Sequence, residues 1–121
     1  MQIKTGVDIV DDKRILKNTD NKSFIKRVFH ASEMDYAKKN SKIKQDLAKK
    51  LAGIFALKEA VSKAFNLSTP HWLDIEIKHT SQGKPTIKLS NIIRNIKVLS
   101  IDCSVSHAKG LTIGSVIVLL E

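Results

Sequence analysis

A carboxylate and an ammonium group lie four residues apart in an otherwise apolar segment, residues 51–65. The two groups belong to Glu59 and Lys63, and residues with this spacing lie on the same face of an α-helix. The polar side chains fall within about 140° of one another at 100° per residue. They are Lys58, Glu59, Ser62, Lys63 and Asn66. A helix that is apolar nearly all round is normally buried. Its polar stripe then faces a cleft, a metal ion or a partner; the alternative is a solvated stripe with an ordinary surface ion pair.

A second carboxylate, Asp8, interrupts an apolar run near the start of the chain. Three apolar residues alternate around it, which predicts a strand with one buried face and places Asp8 on the opposite face. These residues are Ile3, Val7 and Ile9. Asp is depleted in strands, and Asp11 and Asp12 are better placed to cap the following helix. Gly6 beside it permits close backbone approach. Asp8 is therefore a candidate for chemistry.

Five segments of the chain, taken together in order and spacing, resemble the holo-acyl-carrier-protein synthases, the bacterial 4′-phosphopantetheinyl transferases. The matching segments are Gly6 to Ile9 with Arg14, Phe55 to Phe65, Leu73 to Ile77, Gly83 to Pro85, and Ser104 to His107. The resemblance runs from residue 3 to the C-terminus. It implies transfer of 4′-phosphopantetheine from coenzyme A to a serine of apo-acyl carrier protein, with release of adenosine 3′,5′-bisphosphate.

The patterning along the chain predicts helices and antiparallel strands in separate blocks, which is typical of an α+β fold. The predicted elements are a strand over 2–9, helices over 12–18, 21–29, 31–39 and 45–65, and strands over 73–79, 86–89, 96–107 and 111–120. The resemblance implies the 4′-phosphopantetheinyl transferase-like fold, an antiparallel sheet packed against the long central helix. We expect a single domain over residues 1–121. The resemblance also implies a homotrimer with active sites between neighbouring subunits.

The resemblance assigns catalytic roles to Asp8, Glu59 and Lys63. Asp8 and Glu59 match the metal ligands of the family. Mg²⁺ suits this pair, because it commonly binds through one or two carboxylates together with substrate phosphates and water; Mn²⁺ is the expected substitute. Lys63 matches the phosphate-binding lysine. Water at the metal or a carboxylate such as Glu59 can act as the base for the serine hydroxyl, and the sequence leaves both open.

Further residues are expected to contact coenzyme A, which enters the reaction as a co-substrate. They are Lys58, Ser62, Lys63, Gly83, Lys84, Pro85 and His107. His107 matches a phosphate contact of the family, and Gly83 to Pro85 match a turn near the adenine. For Lys58 two roles are possible, a contact to the substrate or a structural role within the protein.

The net charge of +9 favours an anionic partner. By resemblance, the partner is the acidic acyl carrier protein. The expected docking residues are Lys13, Arg14, Lys17, Lys26 and Arg27, with Arg14 matching the carrier-contacting arginine of the family; the alternative is a solvated basic surface. A nucleic-acid-binding module is the less favoured reading, since the chain has only four Phe, one Tyr and one Trp and no recognised nucleic-acid-binding signature.

Three positions depart from the family pattern. Ile54 stands where many members have an arginine, residues 66–70 replace a glycine-rich loop, and Val10 stands where the wider superfamily often has a second acid. An inactive paralogue that still binds carrier protein therefore stays an alternative. The sequence shows no secretory signal or membrane-spanning run, and its lone cysteine, Cys103, is expected in the core. These features predict a cytoplasmic protein.

Overall fold

The structure is a computed structural model that describes residues 1–90 and 96–121. The elements in chain order are β1 (Gln2–Asp11), α1 (Asp12–Asn18), α2 (Lys22–Val28), α3 (Ala31–Lys39), α4 (Lys44–Ala64), a 3₁₀ turn (Trp72–Asp74), β2 (Ile75–His79), β3 (Pro85–Leu89), β4 (Val98–Ala108) and β5 (Leu111–Leu120). The element types agree with the sequence prediction, and their bounds differ from it by a few residues.

The strands form two antiparallel sheets. In the larger sheet β5 lies between β1 and β4, and in the smaller one β2 pairs with β3. The larger sheet packs its inner face on α4, whose residues are buried almost throughout from Leu51 to Ala64. The predicted α+β fold with an antiparallel sheet against a long central helix is confirmed.

Two glycines allow the sheet to lie directly on α4. A Cβ atom on Gly6 would lie 1.8 Å from the carbonyl oxygen of Ala60, and one on Gly114 would lie 2.8 Å from the carbonyl carbon of Ala56. Any other residue would push β1 or β5 away from the helix. The expected close backbone approach at Gly6 is therefore confirmed, and it brings the neighbouring Asp8 close to the helix.

The predicted buried face of β1 is wrong. Val7 and Ile9 are each 58% exposed, whereas Gly6 and Val10 are buried. The strand turns its Gly6, Asp8 and Val10 face inward, because only the small Gly6 fits against α4. The alternation did place Asp8 correctly on the face opposite Val7 and Ile9.

The larger sheet consequently presents an outer apolar face to solvent. Its exposed apolar residues are Ile3, Val7, Ile9, Leu111, Ile113 and Ile117. Cross-strand pairing puts them side by side on β1 and β5; Ile9, for example, lies opposite Ile113. Contiguous apolar surface of this kind marks interaction sites on soluble proteins.

Cys103 lies in the core, as predicted. It is buried between the sheets, and its thiol donates a hydrogen bond of 3.3 Å to the carbonyl oxygen of Pro85. Burial, reinforced by the Asp102 carboxylate, raises the pKa of the thiol to about 11. Such a thiol is unreactive and structural. Within residues 1–90 and 96–121, no helix has the length and apolarity to cross a bilayer.

Candidate active site

The Asp8 carboxylate and the Lys63 ammonium meet where β1 crosses the C-terminal part of α4. Lys63 Nζ donates to Asp8 Oδ1 at 3.0 Å and to the carbonyl oxygen of Val7 at 3.1 Å. The Asp8 side chain is only 14% exposed, whereas that of Lys63 is 55% exposed. The inward face of β1 thus presents Asp8 to the helix, and Lys63 covers it from the solvent side.

Glu59 lies one helical turn before Lys63 and is half-buried. Burial, together with the negative charge of Asp8, raises the pKa of Glu59 above its usual value, and the charges of Lys63 and Arg14 oppose that rise. Two mutually repelling carboxylates on rigid elements form an oxygen donor set that suits a divalent cation. In the described part of the chain, no cluster of three or more His, Cys, Asp or Glu residues has metal-binding geometry. Asp8 and Glu59 thus offer two carboxylates, and Mg²⁺ commonly binds proteins through one or two.

A cavity of about 270 Å³ opens beside Glu59, and we call it the catalytic cleft. Its lining residues are Glu59, Ser62, Lys63 and the segment from Asn66 to Pro70. Asn66 has a φ of +52°, which is left-handed backbone. Asn is among the few residues besides glycine that adopt it readily. The loop that lacks the family glycines therefore still begins with a left-handed residue at the end of α4.

A second cavity, of about 200 Å³, lies toward the other end of α4, and we call it the basic cleft. Its lining residues are Tyr36, Lys49, Lys50, Gly53, Ile54, Leu57, His79, Gly83, Pro85, Val105 and His107. The predicted turn at Gly83 to Pro85 and the predicted phosphate contact His107 therefore meet in one place. Lys49 and Lys50 supply cations next to Ile54, the position at which many family members have an arginine.

The remaining residues predicted to contact coenzyme A lie near these clefts. Ser62 is half-buried at the catalytic cleft, and its hydroxyl donates to the carbonyl oxygen of Lys58 at 3.2 Å. Lys84 is exposed beside the basic cleft, and its ammonium lies 3.4 Å from Asp102 Oδ1. Both side chains stay accessible to a ligand.

The two clefts do not merge within one chain. Leu57 lines the basic cleft and Glu59, two positions further on, lines the catalytic cleft. At about 100° per residue their side chains point to opposite sides of α4. The structure therefore places Asp8 next to Lys63 and close enough to Glu59 to raise its pKa, with Glu59 and Lys63 lining the catalytic cleft. It brings Gly83, Pro85 and His107 together in the basic cleft.

The prediction that Lys58 contacts coenzyme A is wrong, and the structural alternative holds. The side chain is 0% exposed, and its ammonium donates to Glu33 Oε1 at 2.6 Å, to the carbonyl oxygen of Val28 at 2.6 Å and to that of Trp72 at 2.9 Å. All three of its donors are used inside the protein. Lys58 lies on the side of α4 that packs against α2 and α3, so it cannot reach the catalytic cleft.

Glu33, which sequence reasoning missed, completes this buried cluster. Its carboxylate also accepts hydrogen bonds from the backbone amides of His30 and Ile77, each at 2.8 Å. The cluster joins α2, α3, α4 and β2 behind the catalytic cleft. A glutamate in a short helix gives no sequence signal for such a role, because its partners come from distant segments.

The five predicted docking residues are all exposed on α1 and α2. They are Lys13, Arg14, Lys17, Lys26 and Arg27. The Arg14 guanidinium lies 5.3 Å from the centroid of the Phe55 ring, and its charge also acts on Glu59. Arg14, on this basic surface, thus lies close enough to Glu59 to influence its charge.

Comparisons with known proteins show the family of the chain. The sequence model of the 4′-phosphopantetheinyl transferase superfamily matches residues 4–114. The chain is 36% identical to a holo-[acyl-carrier-protein] synthase of Caldicellulosiruptor saccharolyticus over 122 residues, which cover 97% of this chain and 96% of its relative. The chain belongs to the 4′-phosphopantetheinyl transferase superfamily.

Within that superfamily, the similarity is to the holo-acyl-carrier-protein synthases, as the sequence motifs predicted. The crystal structure of a Helicobacter pylori holo-[acyl-carrier-protein] synthase in complex with coenzyme A matches with a TM-score of 0.78 and 33% identity, covering 95% of this chain and 99% of that one. A crystal structure of a Bacillus anthracis holo-(acyl-carrier-protein) synthase in complex with coenzyme A (3′,5′-ADP) matches with a TM-score of 0.74 and 31% identity. The match covers 95% of this chain and 94% of that one. The chain is therefore a phosphopantetheinyl transferase.

Proposed function

We propose that this protein transfers the 4′-phosphopantetheine group of coenzyme A to a serine hydroxyl of an apo-acyl carrier protein. The observation that carries the proposal is that Asp8 contacts Lys63 and acts on Glu59 beside the cleft that Glu59 and Lys63 line. The reaction forms a bond between the serine oxygen and the β-phosphorus of coenzyme A. The bond to the leaving adenosine 3′,5′-bisphosphate breaks, and the hydroxyl proton passes to a base.

Each of the three residues has a task set by its environment. Asp8 and Glu59 would hold Mg²⁺, with Mn²⁺ as the substitute. When bound, the cation would neutralise the phosphates and orient the leaving group. Lys63 is exposed enough to leave Asp8 and pair with a phosphate, and its ammonium acts there as a point charge. The base for the serine hydroxyl would be either water at the metal or Glu59, whose pKa is raised in the metal-free protein.

The separation of the two clefts supports a homotrimer with shared sites. Gly83, Lys84, Pro85 and His107 are proposed to hold the nucleotide end of a coenzyme A molecule whose pyrophosphate lies at the catalytic cleft of a neighbouring subunit. The outer apolar face of the larger sheet is consistent with this assembly, because association would remove its isoleucines and valine from water.

The exposed basic surface of α1 and α2 is proposed to dock the acidic carrier protein. Arg14 is the central candidate, since its guanidinium can pair with a carboxylate through two parallel hydrogen bonds. Charge complementarity of this kind mainly accelerates encounter and fixes orientation. The single, buried cysteine is consistent with the cytoplasm as the proposed location.

The direct test incubates the protein with apo-acyl carrier protein, coenzyme A and Mg²⁺ and measures the mass of the carrier. We expect the carrier to gain one phosphopantetheine group, and a chelator to prevent the gain. Binding of the carrier without any mass change would identify an inactive paralogue. Binding of random DNA with a steep salt dependence, without transfer, would identify a nucleic-acid-binding module.

A further inference from the structure

A chain of hydrogen bonds connects α1 to the basic cleft through a threonine that no sequence motif singled out. Thr112 on β5 is 0% exposed. Its hydroxyl oxygen lies 2.6 Å from Asp12 Oδ1 and 2.8 Å from Nδ1 of His107. Thr112 pairs with His107 across β4 and β5, and it pairs with Val10 on the other side. Thr112 and His107 therefore lie in one cross-strand row, and Asp12 reaches Thr112 from the start of α1.

The chemistry of the three groups fixes the direction of every hydrogen bond in the chain. An ionised carboxylate can only accept, so the Thr112 hydroxyl donates its one proton to Asp12. That hydroxyl then has only lone pairs to offer His107. Nδ1 of His107 must carry the proton and donate it to Thr112, which leaves Nε2 as the ring nitrogen available to the basic cleft.

This direction has a consequence for anion binding. With Nδ1 protonated, the neutral imidazole has a bare lone pair at Nε2, which repels a phosphate oxygen. Nε2 becomes a donor only when the ring takes up a second proton. The surroundings of the free protein resist this step, because burial and the charges of Lys49 and Lys50 lower the pKa of His107 while Asp12 opposes that effect.

We propose that Thr112 and Asp12 are positioning residues for His107, and that they make phosphate binding in the basic cleft depend on proton uptake by its imidazole. The proposal rests on the proposed function in that the phosphate belongs to coenzyme A. The other titratable groups facing the cleft are Tyr36 and His79, which stack with ring centroids 3.7 Å apart, and Lys49 and Lys50. Burial and the charge of Lys50 lower the pKa of His79, and the pKa values of His107 and His79 therefore shift in the same direction.

The tautomer is tested by NMR of the imidazole nitrogens of His107 in the ligand-free protein. We expect the Nδ1-protonated tautomer in the wild type above pH 6.5, the usual pKa. Thr112→Val removes only the hydroxyl and should shift the ring toward the Nε2-protonated form, whereas Thr112→Ser should keep the wild-type signal. Thr86→Val is the matched control, because its hydroxyl bonds to Lys78 on an exposed strand away from His107. An Nε2-protonated ring in the wild type would overturn the proposal.

The coupling to binding is tested by calorimetry with coenzyme A in buffers of different ionisation enthalpy. Wild-type protein should take up more protons on binding than His107→Gln, and Thr112→Val should lose that excess. Below pH 6.5 the Thr112→Val affinity should fall roughly tenfold, the equivalent of losing one hydrogen bond to a charged group. Thr112→Ser and Thr86→Val should both behave as wild type. Equal affinity and proton uptake in wild type and Thr112→Val would overturn the proposal.

These measurements do not use the transfer reaction. A protein that binds coenzyme A with the predicted proton uptake but never modifies a carrier would contradict the proposed function and leave the role of Thr112 supported. If wild type and Thr112→Val modify the carrier with the same efficiency at every pH, the proposed function is supported and the role of Thr112 is contradicted.

Discussion

Lys63 donates a hydrogen bond of 3.0 Å to Asp8 although the two residues are 55 positions apart in the chain. The bond joins the first strand to the central helix at the catalytic cleft. It also holds the Lys63 ammonium next to Asp8, one of the proposed metal ligands, before any phosphate binds. Because the Lys63 side chain is far more exposed than that of Asp8, it is the partner free to move when substrate binds.

Removing either proposed metal ligand should abolish transfer without unfolding the protein. Asp8→Asn and Glu59→Gln each remove the charge of one ligand at nearly constant volume, and we expect turnover to fall by at least about a hundredfold, the loss typical of a key electrostatic group. Carrier mass against time in Mg²⁺ measures it. Glu121→Gln, which removes an exposed carboxylate paired with Lys97, is the control. Wild-type turnover in either ligand variant would show that the metal site is wrongly placed.

Substitutions of Lys63 and Lys58 should affect different properties, the first the transfer rate and the second the stability of the fold. Lys63→Met should lose rate and should cost less stability than Lys58→Met, because the Lys63 side chain is 55% exposed whereas that of Lys58 is fully buried. Lys58→Met leaves Glu33 buried without its cation and should cost about 3–5 kcal/mol of stability. Urea unfolding and transfer assays separate the two effects. The double variant Lys58→Met, Glu33→Gln should recover part of the lost stability; if it is no better than Lys58→Met alone, the buried pair is not the cause.

Glu59 should make the metal-free protein less stable at neutral pH. The pKa of Glu59 in the folded state is raised above the usual 4.5, so the folded state binds the proton more tightly than the unfolded state does. The stability of the protein therefore falls as the pH rises from 4.5 through the raised pKa. Glu59→Gln should therefore melt at a higher temperature than wild type at pH 7 without metal. The difference should vanish as the pH falls below 4.5. Thermal melts with and without Mg²⁺ measure this difference in melting temperature. A Glu59→Gln variant that melts below wild type at pH 7 without metal would contradict the prediction.

Reversing the charge of Arg14 should weaken the carrier complex selectively. Arg14→Glu should raise the KM for acyl carrier protein roughly tenfold, as expected for losing a charge-assisted pair, while the KM for coenzyme A changes little. Lys88→Glu makes the same charge change on β3, away from α1, and should have little effect. Added salt should narrow the gap between wild type and Arg14→Glu. An unchanged carrier KM in Arg14→Glu would contradict docking at this surface.

Subunit complementation tests whether the active site is shared. Glu59→Gln disables the catalytic cleft, and His107→Ala disables the basic cleft. If coenzyme A spans two subunits, a mixture refolded or co-expressed together should regain part of the wild-type rate, because some sites combine two intact halves. Ile117→Glu on the outer apolar face should give inactive monomers, whereas Leu73→Glu, at a similar exposure of 48% against 50%, should not. A mixture with no activity would show that each chain carries its own complete site.

The sequence determined the elements and the residue types of the catalytic cleft. The turn-spaced pair Glu59 and Lys63 could be assigned to one helix face because helical geometry is local and regular. Asp8 stood out because a charged residue within an apolar strand has no local explanation. The matching motifs were then enough to identify the family, because their order and spacing can be read from the sequence alone.

The tertiary structure decided which face of each element is covered. Alternation in β1 is equally compatible with a buried or an exposed apolar face, and the fit of Gly6 against Ala60 selected the latter. Lys58 and Glu59 are adjacent in sequence, yet they point to different sides of the helix. Lys58 joins the buried cluster with Glu33, and Glu59 lines the catalytic cleft. The chain from Asp12 through Thr112 to His107 joins residues 100 positions apart. No local pattern encodes such contacts, because strand pairing and helix docking create them.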